Sequence, residues 1–239
     1  MDAEIEFRSD VTVELIKAAA GDADVLWAAR VSTKGESSLA EIEADPERSK
    51  GLINYLMRDR HGTPFEHSSM TFYVKAPIFV FREFMRHRTF SYNEESGRYR
   101  KLEPVFYVPG ADRKLVQEGR PGKYVFVDGT PEQHKVVAEA TMESYRQSYR
   151  AYTEMLDAGV AREVARTVLP VGLYSSMYAT CNARALMNFL SLRTKREDSK
   201  FPSFPQREIE MVAEQMERLW AELMPLTHAA FEANGRVCP

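Results

Sequence analysis

The chain has 239 residues, 44% of them hydrophobic and 28% charged, which is the balance of a globular protein with a real core and excludes wholesale disorder. Its 32 basic and 35 acidic side chains leave a formal charge of −3, which argues against a general nucleic-acid coat or a polybasic membrane binder but leaves room for a local basic pocket. Two cysteines, Cys181 and Cys238, make neither a disulfide framework nor a four-ligand zinc site.

The opening MDAEIEFRSD is acidic and lacks the apolar run of an export signal, and no stretch is apolar enough to span a bilayer. The expectation is a soluble, cytoplasmic protein. Residues 3–8 and 11–19 read as strands, although ELIKAAA suits a helix equally. Asp22 is placed to cap a short helix through Arg30, and Asp45-Pro46 to start one over 47–60, with Leu52, Ile53, Leu56 and Met57 on its apolar face. Alternation of Met70, Phe72, Val74 and Ala76 against Thr71, Tyr73 and Lys75 predicts a half-buried strand. Pro77 ends that strand and opens a helix to about Arg88.

Residues 104–130 are rich in Pro and Gly and read as a loop-like excursion. Thr130-Pro131 starts a long helix carrying Tyr145, Tyr149, Tyr152 and Leu156 on one stripe, and Gly159 ends it. A helix over 160–168, a strand over 174–180, a helix over 182–193 capped by Asn182 and a final helix over 205–224, broken at Pro225, complete the chain. Strands and helices do not alternate as βαβ units. The expected fold is α+β, one domain of mixed helices on a small, mainly antiparallel sheet.

No GxGxxG, GxxxxGK[ST] or HExxH occurs, so common dinucleotide, triphosphate and zinc-protease motifs are absent. His61 and His67 in HGTPFEH match no common metal spacing, and no metal is expected. The densest segment is 82–100, REFMRHRTFSYNEESGRYR. It interleaves Arg82, Arg86, Arg88, Arg98 and Arg100 with Phe84, Phe90, Tyr92 and Tyr99 rather than alternating acid and base. Guanidinium forks bind phosphate, and aromatic faces stack on flat heterocycles, so the composition suits a phosphorylated aromatic ligand. Surface arginines paired with Glu83, Glu94 and Glu95, or a single-strand nucleic-acid groove, are the competing readings. Downstream, Arg162 and Arg166 recur at i,i+4, Asn188 falls among apolar neighbours, and Arg193 ends a helix. Cys181 has no histidine near it in sequence, so a nucleophilic role is not favoured, and Cys238 reads as part of a frayed tail.

Arg86-His87-Arg88, seven residues, then Ser96 resembles the RHR-x7-S signature of the flavin-dependent thymidylate synthases. KAPIFVFREFMRHR, SYNEESGRY with its Ser91 and Asn93, HGTPFEH, REVARTVLP and NARALMNFLSLR extend the resemblance over most of residues 25–195. The resemblance implies reductive methylation of dUMP to dTMP, with FAD reduced by NADPH, methylenetetrahydrofolate as carbon donor, and a homotetramer with shared active sites. No nucleic-acid or membrane partner is expected, on the charge balance and the absence of a long apolar stretch.

Carried over, it assigns Thr63, Arg86, His87, Arg88, Glu94, Asn182, Arg184 and Asn188 to the flavin, with His61 and Ser32 as weaker members. It assigns Glu83, Phe84, Met85, Arg86, Glu94, Glu95, Ser96, Gly97, Arg98, Arg166 and Arg193 to the nucleotide. Arg193 is the expected catalytic cation, favouring charge on the uracil ring without thiol attack. After Arg193 the sequence departs from the family pattern: TKREDSKFPSFPQRE has no histidine. Either Lys200, Phe204 or Gln206 substitutes for that contact or the loop is mobile until ligand binds, and a relative that binds without turnover is the competing reading.

Overall fold

The computed structural model describes residues 4–35, 46–120 and 123–239. In chain order its elements are β1 (Glu6–Arg8), β2 (Thr12–Ala19), α1 (Asp22–Lys34), α2 (Pro46–Arg58), a 3-10 turn (Thr63–Glu66), β3 (Ser69–Pro77), α3 (Ile78–Phe84) and β4 (Ser91–Glu94). There follow β5 (Val105–Tyr107), β6 (Val116–Arg120), β7 (Lys123–Val127), α4 (Pro131–Asp157), α5 (Arg162–Ala165) and a 3-10 turn (Arg166–Val168). The last elements are β8 (Tyr174–Cys181), α6 (Ala183–Arg193), α7 (Arg207–Leu223) and α8 (Pro225–Ala233). The fold is mixed α+β, as the element pattern predicts. The strands form a four-stranded sheet in the order β2-β3-β8-β4, a parallel pair β1-β5, and an antiparallel hairpin β6-β7.

The chain divides into two compact units, the first comprising Met1–Val11, Lys75–Arg82 and Glu94–Met177, the second Thr12–Val74, Glu83–Asn93 and Tyr178–Pro239. In the first unit α4 dominates. Thr130 and Gln133 cap its start reciprocally, each side chain accepting from the other's backbone N–H, and Gly159 takes the positive φ of 83° that ends it. Tyr149 and Tyr152 are buried with Leu102, Phe106, Ala165 and Leu173, while Tyr145 and Leu156 pack at the edge. Both buried phenols are satisfied: Tyr152 accepts from the Leu102 N–H and Tyr149 donates to the Leu102 carbonyl.

In the second unit, α7 packs on β2 and α6. Ile209, Val212, Ala213, Met216 and Trp220 are fully buried, the stripe that a 3.6-residue period requires. Met70, Phe72 and Val74 of β3 are likewise inaccessible to solvent. After Arg193 the chain is pinned at several points. Ser203 Oγ donates to the Thr194 carbonyl, the Lys195 N–H donates to Glu210 Oε1, and the Lys200 N–H donates to the Gly235 carbonyl.

Several local expectations are corrected. The helix opened at Pro77 stops at Phe84, because two tight turns follow: the Arg86 N–H meets the Glu83 carbonyl and the His87 N–H meets the Phe84 carbonyl. Ser91–Glu94 is a strand too short to show a periodic pattern. The 104–130 excursion contains β5 and the β6-β7 hairpin, and residues 160–168 make two short helical pieces rather than one. Gly21, not Asp22, precedes α1, and Asp24 supplies the capping carboxylate. Asp22 instead accepts from the Leu226 and Thr227 backbone N–H groups, capping α8. Cys238 is not frayed: its thiol donates to the Arg184 carbonyl.

Candidate functional site

The predicted ligand residues divide between the two units. Glu94, Glu95, Ser96, Gly97, Arg98 and Arg166 belong to the first, and the other assigned residues to the second.

In the first unit, the chain leaves β4 with the Glu95 N–H donating to the Ser176 carbonyl, and Ser96 Oγ accepts from the Arg98 N–H. Gly97 lies where an added Cβ would stand 2.7 Å from Leu102 Cδ1 and 3.3 Å from Arg166 Cδ. A Cβ there would press on the end of the Leu102 side chain and crowd the Arg166 side chain. Arg98 pairs with Glu163 at 3.1 Å with both groups half exposed, a pair that an anionic ligand displaces at little cost. Glu94 has its carboxyl pushed up by burial, against the lowering effects of a Ser175 hydrogen bond and of Arg82 and Arg166. This cluster of cations, hydroxyl and backbone suits a phosphate.

In the second unit, the Arg86–Arg88 turn hangs on a buried aromatic group. Phe84 stacks on Phe189 at 4.5 Å and meets Phe90 edge-on, and the Tyr92 hydroxyl donates to the Phe84 and His87 carbonyls. Phe84 has no exposed surface, and its carbonyl is taken by the His87 N–H and the Tyr92 hydroxyl. Arg86 and Arg88 are exposed, and no ion pair engages either among the described residues. His87 between them is buried, with its ring edge against Phe189. Its Nε2 accepts from Arg193 Nε at 3.1 Å, and Arg193 Nη1 donates to Glu83 Oε2 at 3.0 Å. Burial first, and the Arg193 charge second, lower the His87 pKa to about 4, so the ring is neutral.

Asn182 Oδ1 caps α6 by accepting from the Ala185 N–H. Asn188 lies between the buried Met187 and Phe189 but is itself exposed on that helix, so its amide needs no protein partner. Thr63 is exposed at the start of its 3-10 turn. Arg184 reaches over Gly62, donating from Nε to the Pro239 main-chain oxygen at 2.8 Å and from Nη1 to Glu66. His61 and His67 are both exposed, the first stacked on Tyr55 and the second edge-on to Trp27, while Ser32 Oγ donates to the Ala29 carbonyl. Met85 is exposed beside Arg86. Of the residues suggested for the loop after Arg193, Phe204 is exposed, and Lys200 lies over the Phe201 ring.

Cys181 is buried and its thiol is pushed far up by that burial, the opposite of an activated nucleophile. The one triad of potential metal ligands among the described residues, Glu217, His228 and Glu232, already faces cations: the Arg236 guanidinium is within 2.7 Å of Glu217 and that of Arg196 within 3.5 Å. The network that positions Arg193 was not visible in sequence: Glu83 and His87 lie 110 and 106 residues from it.

Arginines and hydroxyls set for a phosphate, arginines free of ion pairs among the described residues beside an aromatic cluster, and a buried thiol suit an enzyme that acts on a nucleotide. The comparisons with known proteins identify its family. The family described as "Thymidylate synthase complementing protein" matches residues 14–226. A flavin-dependent thymidylate synthase of Streptomyces coelicolor is 75% identical over 239 residues, covering 100% of this chain and 97% of the relative. That of Tropheryma whipplei strain TW08/27 is 58% identical over 233 residues, covering 98% and 97%. A solved UMP/dUMP methylase from Streptomyces cacaoi, bound with 5-Br dUMP, is 58% identical with a TM-score of 0.93, covering 98% of this chain and 100% of that one. The same methylase bound with 5-Br UMP gives a TM-score of 0.91. The chain belongs to the flavin-dependent thymidylate synthase family.

Proposed function

We propose that the protein methylates dUMP to dTMP, with methylenetetrahydrofolate as carbon donor and NADPH as reductant of a bound FAD. The observation that carries this reading is a contrast between two side chains: Cys181 is buried with its thiol pushed up, whereas the Arg193 guanidinium is held by hydrogen bonds to His87 and Glu83. Thymidylate chemistry needs the uracil ring made electron-rich. A fixed cation near N3 does this by stabilising the charge that develops there, with no thiol addition.

The residues present fit FAD. Arg86 and Arg88 are uncommitted cations for its phosphates, and Arg184, Thr63, Asn182 and Asn188 add a guanidinium and polar groups on and before α6. When bound, the flavin supplies hydride transfer, which no side chain of this protein can supply. Arg98, Arg166, Ser96 and Gly97 take the nucleotide phosphate, with Glu94 and Glu95 in the same turn. Arg193 lies against the base, and Glu83 holds one of its nitrogens. Because the family match runs through segments of both units, we read residues 1–239 as one catalytic domain, working as a cytoplasmic homotetramer with shared active sites. No helix among the described residues is long and apolar enough to cross a membrane.

The test is direct. Purified protein is expected to be yellow, dUMP to perturb the flavin spectrum, and dTMP to form with NADPH and methylenetetrahydrofolate. A colourless protein that takes up no FAD contradicts the reading. Faster methylation of UMP than of dUMP would move the substrate to the ribonucleotide.

A further inference from the structure

The three residues of the Arg86-His87-Arg88 turn do not share one environment. The two arginines are exposed, but the imidazole between them is 6% exposed and faces the protein's own helix α6. Phe189 and Arg193 stand one turn apart on that helix, so a single face both clamps the His87 ring and reaches its Nε2. Arginine has donors only. The Arg193 Nε–H can therefore bond to His87 only while Nε2 carries no proton, which places the ring proton on Nδ1. The turn itself is fastened: Tyr92, through its hydroxyl, holds the carbonyls of both Phe84 and His87.

Arg193 thus has two anchors of different chemistry. Glu83 is anionic and takes Nη1. Held by Glu83 alone, the guanidinium is able to turn about its Cδ–Nε bond, presenting either nitrogen to the carboxylate, and its charge is partly cancelled. A neutral acceptor on Nε fixes that rotation without cancelling any charge. Nη2 then has no partner among the described residues.

We propose that His87 is a positioning residue, whose neutral imidazole sets the orientation of the Arg193 guanidinium so that Nη2 is presented to the pyrimidine. This rests on the reading of Arg193 as the cation that acts on the base. It gives His87 a task other than the flavin contact its motif implies.

The test uses FAD-loaded enzyme. His87→Phe keeps a ring against Phe189 but removes the acceptor, whereas His87→Gln restores an acceptor near the position of Nε2. His87→Phe is expected to lower kcat for dTMP formation by about ten- to a hundred-fold, the effect of losing one hydrogen bond to a charged group. FAD occupancy stays unchanged, and His87→Gln recovers part of the rate. His87→Phe also weakens dUMP binding in the wild-type background and adds nothing in the Arg193→Ala background. Equal weakening in both backgrounds, or loss of FAD with His87→Phe, overturns the proposal. Full activity in Arg193→Ala would remove the Arg193 reading and the proposal together.

Nitrogen NMR of the unaltered protein gives a check that does not depend on a variant folding. The expected signal is a neutral Nδ1–H tautomer that does not titrate between pH 6 and 8, since the charged group facing His87 is Arg193, with Glu83 and then Glu208 beyond it. An imidazolium, or titration near the ordinary histidine value, contradicts the proposal.

Discussion

Arg193 Nη1 and Glu83 Oε2 lie 3.0 Å apart, yet the Glu83 carboxyl is raised rather than lowered from its ordinary pKa. Burial outweighs the attraction of Arg193, and the nearby Glu208 adds to the rise. A carboxyl raised on folding contributes most below its unfolded pKa, and that contribution is lost as pH rises through the folded value. In its ionised form Glu83 therefore favours the fold less than in its protonated form, and it stands where it orients a cation. Glu83→Gln should leave the melting temperature unchanged or higher at pH 7 while lowering turnover. Paired melting curves and initial rates check this, and a fall in both would mark Glu83 as structural.

The opposite sign holds at the buried end of α7. Burial alone would push the Glu217 carboxyl up, but the His228 hydrogen bond and the close Arg236 guanidinium, with Arg196 beyond, overcome it and hold the pKa to about 2. Arg236 is almost wholly buried, 2.7 Å from Glu217, and its Nη2 donates to Thr194 Oγ1 directly after Arg193. Stability from Glu217 is present above the ordinary carboxylate value and is lost as pH falls toward 2. Arg236→Ala leaves the buried carboxylate with only His228 and the more distant Arg196, and should cost about 3–5 kcal/mol in denaturant unfolding at pH 7. Loss of less than about 1 kcal/mol would show that water reaches this pair.

A sulfur buried and held neutral does not attack a pyrimidine. Cys181→Ala removes only a little packing, because the side chain is small, and it should keep dTMP formation within a few-fold of wild type. A thiol-reactive dye should modify Cys181 only on unfolding. Loss of activity with the fold retained would return the nucleophile to the mechanism.

Gly62 stands where an added Cβ would meet the Arg184 guanidinium at 2.5 Å. The far end of a flexible side chain can move away, so Gly62→Ala should fold. Moving Arg184 breaks its bonds to Glu66 and the Pro239 oxygen, and FAD affinity should drop about ten-fold if Arg184 holds the flavin. Unchanged affinity by equilibrium dialysis would release Arg184 from that role.

Much of the architecture was legible because it is local. The Thr130-Pro131 start and Gly159 end of α4 follow from caps, and the alternation of β3 follows from its period of two. β4 was missed because four residues carry no period, and the end of α3 because tight turns after Phe84, held by Tyr92, override a continuing helical pattern. The Cys238 contact with Arg184 spans 54 residues and leaves no local mark. The same limit applies to the site. Residue types around Arg86–Arg88 pointed to an anionic aromatic ligand, but that His87 faces Arg193 instead of solvent depends on packing against Phe189. Family resemblance named the residues without saying which of them touch each other.

The central claim is that a guanidinium, not a thiol, makes the uracil ring reactive. Arg193→Ala, with FAD content read by absorbance and dTMP by chromatography in the same preparation, tests it most directly. Retained flavin with dTMP formation reduced about a hundred- to a thousand-fold, the scale of removing one charge-stabilising group, is the predicted result. Near-normal dTMP formation, or loss of flavin in parallel with activity, would contradict it.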